Sequence, residues 1–129
     1  IASLSTELSK IPVYVAAARF AVERVIANLL SNAAKYTPPN GQISVTTKEE
    51  GKKAIFSVNN RPAFIPPSEQ AHIFEKFRRG GSSKDKAGSG LGLYIVKSLI
   101  NSVNAELKIS SNEKEGTTFS VYFPLASAP

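Results

Sequence analysis

Asn28 and Asn32 stand four residues apart, and Lys35 and Tyr36 follow Asn32 at three and four. On a helix that spacing stacks two amides, an amine and a phenol along one stripe. Asparagine is a poor interior helix residue, because its side chain competes for backbone hydrogen bonds. A plain polar face is the ordinary reading of such a stripe. Exposed helix faces, however, normally carry Lys, Glu and Arg, whereas these amides are flanked by alanines, which points to a semi-buried site. An amide oxygen is a suitable hard ligand for magnesium, and Lys35 would then sit beside the phosphates that such an ion bridges.

A second chemical signal is GSGLGL, Gly88 to Leu93, between a basic glycine-rich loop and a helix. Glycines let a backbone approach a phosphate closely, and the free amides at the following helix N-terminus supply donors and a positive dipole end. The spacing is not the dinucleotide fingerprint, since no strand precedes it, nor a P-loop, since no Lys-Ser/Thr follows the glycines. A flexible linker would account for Gly80 to Gly88 equally well. It does not account for Gly90 and Gly92 at the opening of a strongly apolar helix.

The chain that must position these groups has 129 residues, 42% of them hydrophobic, with 16 basic against 10 acidic side chains and a formal charge of +6. Such a length makes one domain, able to bury roughly two-thirds of its unfolded surface without disulfides. Cysteine is absent, which excludes disulfide scaffolds, thiolate metal sites and cysteine nucleophiles. His72 is the sole histidine, so a multi-histidine metal centre is excluded too. No apolar run approaches the roughly 20 residues of a membrane span, and the start, IASLSTELSKIP, lacks signal-peptide order. The excess positive charge suits an anionic partner. Its cluster, Glu75 to Lys86, has no interleaved aromatic platform, so no nucleic-acid partner is expected.

Periodicity supplies the elements. Val13 and Val15 in KIPVYVA suggest a short strand, followed by a long helix in which Val22, Val25, Ile26, Leu29, Leu30 and Ala33 recur at helical spacing. Pro38, Pro39, Asn40 and Gly41 stop it. QISVTTK and KAIFSVN, joined by Glu49 to Lys52, read as a β-hairpin. Beyond Pro62, Pro66 and Pro67, SEQAHIFEKF reads as a short helix with Ser68 as N-cap. GGSSKDKAGSG offers little to bury and is expected to be mobile. The helix LGLYIVKSLINSV, starting at Leu91, and the strands AELKIS and TTFSVYF complete the order β-α-β-β-α-loop-α-β-β. An α/β fold with helices on one face of a mixed sheet follows.

Together NLLSNAAKYTP, IPPSEQAHIFEKFRRG, GSGLGLYIVKSLI and EGTTFSVYFP, in this order, resemble the catalytic and ATP-binding domain of two-component sensor histidine kinases. The resemblance runs from about Lys10 to Pro124, and makes residues 1–129 one such domain with an ATP lid at about 80–89. It implies a Bergerat-type, two-layer α/β sandwich, shared with the Hsp90, gyrase and mismatch-repair (GHKL) ATPases, and ATP and Mg2+ as cofactors. Its N box matches Asn28, Asn32, Lys35 and Tyr36, with Asn32 the magnesium ligand. Its F box matches Phe74 and Phe77, followed by Arg78 and Arg79. The second glycine box matches Gly88, Gly90 and Gly92, with Leu91 and Leu93 between and after, and the last motif Gly116, Thr117, Thr118 and Phe119, with Thr118 at the nucleotide.

The implied reaction passes the ATP γ-phosphoryl to a histidine on a separate dimerisation domain. No catalytic residue is therefore expected in this chain, and His72, outside any phosphoacceptor context, reads as structural. The expected partners are the dimerising phosphoacceptor hairpin of the same parent, N-terminal to Ile1, and a response regulator. Homodimers would form only through that missing domain, and the setting would be cytoplasmic, whether or not the parent is anchored to a membrane. Phe74 and Phe77 would contact the hairpin or fill the core, and the tail FPLASAP suggests the C-terminal domain of a longer kinase or a domain next to a linker.

One motif departs from the pattern. Where the family shows Asp-x-Gly-x-Gly-Ile, with the aspartate on the adenine amino group, this chain has Asn60-Arg61-Pro62-Ala63-Phe64-Ile65. Asn60 can still accept a hydrogen bond, without the charge assistance of a carboxylate, worth about 1 kcal/mol. Pro62 restricts φ, Phe64 brings a ring that would fill part of the base pocket, and Ala17 and Ala18 stand where an aspartate often begins the N-box helix. Two readings compete: ATP binding through a remodelled adenine pocket, or a pseudokinase serving as scaffold or interaction module. Asn32, Lys35, Gly88, Gly90 and Gly92 favour the first, since a scaffold has no chemical need of them.

Overall fold

Ala21, Val25, Leu29 and Ala33 recur every four residues and bury one stripe of helix α1 (Arg19–Tyr36). In the computed structural model, which describes residues 3–8, 14–70, 72–74 and 92–126, that stripe packs on a five-stranded sheet. The start of α1 has no side-chain cap, because Ala18 offers none, and its first turn carries no acid. Its end is firmer: Thr37 donates its hydroxyl to the Ala33 carbonyl at 2.6 Å, satisfying a group the helix leaves open.

The strands are β1 (Ser3–Glu7), β2 (Gln42–Glu50), β3 (Lys53–Arg61), β4 (Glu106–Asn112) and β5 (Gly116–Pro124), in the order β1-β2-β3-β5-β4. β1 runs parallel to β2 and every other neighbour is antiparallel, so the sheet is mixed. Helix α2 (Pro67–Gln70) is a single turn, and α3 (Gly92–Ser102) lies beside α1 with Val96 and Ile100 in the core. Asn104, at φ 58, ends α3 in the left-handed conformation common just past a helix.

Register decides which side chains meet. Ala54 pairs with Phe123, Phe56 with Val121 and Val58 with Phe119, and all six face the helices. The next pair on that face is Asn60 with Thr117, at the end of the same apolar row. The opposite face is mainly polar, with Ile55 buried beside Tyr122: Ser57 and Ser120 share a hydrogen bond of 2.9 Å, Arg61 donates to Gln42 Oε1 at 2.7 Å, and Lys108 lies 4.7 Å over the Tyr122 ring. Helices on one face and water on the other make the two-layer α/β sandwich expected from the motifs.

Two expectations need correction. The first strand is Ser3–Glu7, whereas Val15 makes only an isolated bridge to Leu125, and Val13 lies outside the described residues. SLSTE has no apolar alternation to reveal it, Leu4 is 65% exposed, and its conformation comes from pairing with β2. The short helix starts at Pro67, so Ser68 is inside it, and the Pro66 carbonyl accepts from the Glu69 and Gln70 amides. Proline suits a first helical position because its missing N–H would have had no partner there. The expected start of α3 at Leu91 lies outside the described residues, and the helix is described from Gly92.

Candidate functional site

The apolar row shared by β3 and β5 ends in two polar residues, Asn60 at 5% and Thr117 at 1% exposure. Gly116 is what lets them meet. At φ 84 it takes a conformation costly for other residues, and a Cβ there would strike the Asn60 carbonyl and the Arg61 side chain. The β4–β5 turn that delivers it is held by Asn112, whose Oδ1 accepts from the Glu115 amide at 2.6 Å.

Thr117 anchors the loop that follows β3. Its hydroxyl donates to the Ala63 carbonyl at 3.1 Å. That uses its only proton, so in the 2.7 Å contact with Ser111 the serine must be the donor. Ser111 Oγ in turn accepts from the Ile65 amide at 2.8 Å, and Gln70 donates to the Ile65 carbonyl at 2.8 Å. The chain of bonds from Ile65 through Ser111 and Thr117 to Ala63 has one consistent direction. Pro62 to Ile65, joined to Arg61 by a cis peptide bond, is thereby pinned to the sheet end. Ile65 packs against the core, while Phe64 is 45% exposed. Its ring, expected to fill a base pocket, is therefore no part of the sealed interior.

Two adjacent asparagines have opposite fates. Asn59 points to the polar face and spends its amide on Thr118 Oγ1 at 2.9 Å and the Glu115 carbonyl at 3.0 Å. Asn60 points to the helix face and makes no side-chain hydrogen bond among the described residues. No sealed side-chain N or O lacks a partner, so the Asn60 amide keeps contact with solvent. Thr118, expected at the nucleotide, is with Asn59 on the far face, and the threonine beside Asn60 is Thr117. Alternation along TTFSVYF carried this information, because Thr117 has the parity of Phe119, Val121 and Phe123. Ser111 carried no signal in the sequence alone.

The helix stripe approaches from the other side. Asn28, Asn32 and Tyr36 are half-buried and Lys35 is exposed, as amides at the margin of a core-facing helix require. Asn28 Nδ2 donates to the Gly92 carbonyl in a long bond of 3.4 Å, which joins α1 to the opening of α3. A carbonyl partner fixes the NH2 toward α3 and leaves Oδ1 available as an acceptor or ligand. Leu93, one residue on, packs against the core. At the far end of α1, a Cβ on Gly41 would meet the Arg61 carbonyl and the Thr37 methyl, so the helix terminus lies tight against the end of β3.

Among the described residues no three His, Cys, Asp or Glu side chains cluster as a metal site. The amide oxygens of Asn28 and Asn32 are instead hard, neutral donors, suited to magnesium that keeps its waters and is held mainly by phosphates. Phe74 is half-buried against the core, edge-on to Phe119 at 6.4 Å with Lys97 5.9 Å over its ring, and His72 is exposed. Phe77, Arg78, Arg79, Gly88, Gly90, Leu91 and the expected lid at 80–89 lie outside the described residues.

Residues 18–127 match the family described as histidine kinase-, DNA gyrase B-, and HSP90-like ATPase. The chain is 38% identical over 105 residues to the circadian input-output histidine kinase CikA of Synechococcus elongatus, across 80% of this chain and 14% of that protein. It is 41% identical over 95 residues to the signal transduction histidine-protein kinase/phosphatase MprB of Mycolicibacterium vanbaalenii, across 73% and 20%. It thus spans a fifth or less of these relatives' length. Among solved structures, the mycobacterial sensor histidine kinase MprB aligns with a TM-score of 0.84 at 28% identity, over 97% of this chain and 86% of that one. Full-length ShkA in complex with AMPPNP aligns at 0.81 and 25% identity, over 98% and 26%.

Proposed function

The chain belongs to the histidine kinase-, DNA gyrase B- and HSP90-like ATPase family as an ATP-binding catalytic domain, and we propose that it serves a sensor histidine kinase by presenting Mg-ATP for transfer of the γ-phosphoryl to a histidine. The observation that carries this is the bond from Asn28 to Gly92, which brings the amide stripe of α1 to the opening of α3. The relatives CikA and MprB named above are histidine kinases, and ShkA was solved in complex with AMPPNP.

Asn32, with Asn28 beside it, offers amide oxygen to the magnesium. When bound, that ion neutralises charge across the phosphate oxygens. Lys35 adds a cation on the same stripe, and Tyr36 a phenol at its end. Amides opening α3 at Gly92, with Gly88, Gly90, Leu91 and Leu93, hold the phosphates, and Arg78 and Arg79 offset their charge. Asn60 meets the base, Ile65 forms an apolar wall, and Thr117 takes the place expected of Thr118. Phosphoryl transfer asks of such a domain mainly positioning and charge neutralisation.

The acceptor histidine resides on a dimerising helical domain of the same parent, and a response regulator receives the phosphoryl group afterwards. Dimerisation belongs to that helical domain. An ATP requirement places the work in the cytoplasm, and no helix among the described residues is long and apolar enough to cross a membrane. Nothing in the fold favours a scaffold without nucleotide. Calorimetric titration with Mg-ATP tests the reading: micromolar binding is expected, weakened at least about tenfold by Asn32→Ala. Absence of binding at millimolar nucleotide would overturn it.

A further inference from the structure

Asn60 differs from every other polar group at the sheet end in having nothing to hold it. Thr117 beside it has committed its proton to Ala63 and accepts from Ser111. Asn59 has turned to the other face, and Asn28 has its amide oriented by the Gly92 carbonyl. Only Asn60 is 5% exposed, faces the helices, stays in touch with solvent and lacks any side-chain partner among the described residues that would set which end of its carboxamide points outward.

A carboxamide has one donor end and one acceptor end, and a half-turn about its last torsion exchanges them. The edge of a 6-aminopurine offers an amino donor next to the N1 acceptor, which the amide matches with its oxygen on the amino group and its nitrogen on N1. The edge of a 6-oxopurine offers the reverse, an O6 acceptor next to the N1–H donor, and the turned amide matches that equally. A carboxylate could accept only, and would leave O6 facing a negative charge. Resting on the nucleotide reading above, with Asn60 at the base, we infer that this site takes purine nucleoside triphosphates of both kinds, 6-amino and 6-oxo, because Asn60 is free to turn.

Inosine triphosphate is the suitable probe, since it exchanges the 6-amino pattern for the 6-oxo pattern without the added 2-amino group of guanine. Titrating the chain with Mg-ATP and with Mg-ITP should give affinities within about threefold of each other. Asn60→Asp should raise the preference for ATP to about thirtyfold or more, because a site that must pair a specific hydrogen rejects a base lacking it. A wild-type preference for ATP of that size would overturn the inference while leaving ATP binding intact. So would an Asn60→Asp protein that still binds both nucleotides alike. Binding of neither nucleotide by the wild type would overturn the nucleotide reading itself. Should the buried carboxylate prevent folding, the wild-type comparison decides alone.

Discussion

The two faces of the sheet treat polar side chains in opposite ways. On the outer face Ser57 meets Ser120, Asn59 meets Thr118 and the Glu115 carbonyl, and Arg61 meets Gln42, so each group is satisfied by the protein itself. On the inner face a wholly apolar row ends in one fixed residue, Thr117, and one unpaired residue, Asn60. A paired polar group is structure. An unpaired one, nearly buried, costs stability until something else supplies the bond, which is the condition expected at a binding site.

That contrast can be broken most severely at Gly116, which feeds both faces. Gly116→Ala forces a positive φ on a residue with a side chain and drives its Cβ into the Asn60 carbonyl. Loss of about 2–5 kcal/mol is expected in denaturant unfolding, adding backbone strain to overpacking. A smaller effect follows from Thr117→Val, which keeps the shape but leaves the Ala63 carbonyl without its donor and Ser111 without its acceptor. About 1–3 kcal/mol should go, together with protection of the Ile65 amide in hydrogen exchange. The sharpest comparison is the smallest. Asn59→Leu should cost about 1–2 kcal/mol and spare nucleotide affinity, since two outer bonds vanish. Asn60→Leu should leave stability within about 1 kcal/mol, or raise it, while weakening nucleotide binding about tenfold. Equal behaviour of the two would remove the distinction between the faces.

Much of the fold was legible because it rests on periodicity. The helix around Val25, Leu29 and Ala33 and the hairpin of β2 and β3 carry patterns that only one conformation satisfies. β1 was not legible, because SLSTE carries no apolar alternation and is ordered by a partner strand far along the chain. The stripe Asn28, Asn32, Lys35, Tyr36 and the glycines near Gly92 could be read as a site, since helical spacing and glycine placement are local properties. Thr117, and not Thr118, is the threonine on the helix face, and alternation from Phe119 already put it there. Ser111 could not be found that way. Its role depends on register across two strands and on the direction of three hydrogen bonds.

Asn60 and Thr117 face each other across the pairing of β3 with β5, and that pairing is the seam between two hairpins, each local in sequence. Hairpins close within microseconds, whereas contacts distant along the chain wait for the entropy of a large loop to be overcome. The order of assembly follows: two ribbons first, their seam later, and with the seam the pocket end of the sheet. A chain caught between those stages would hold most of its strands and none of its recognition, so nucleotide should bind only chains in which the seam has closed.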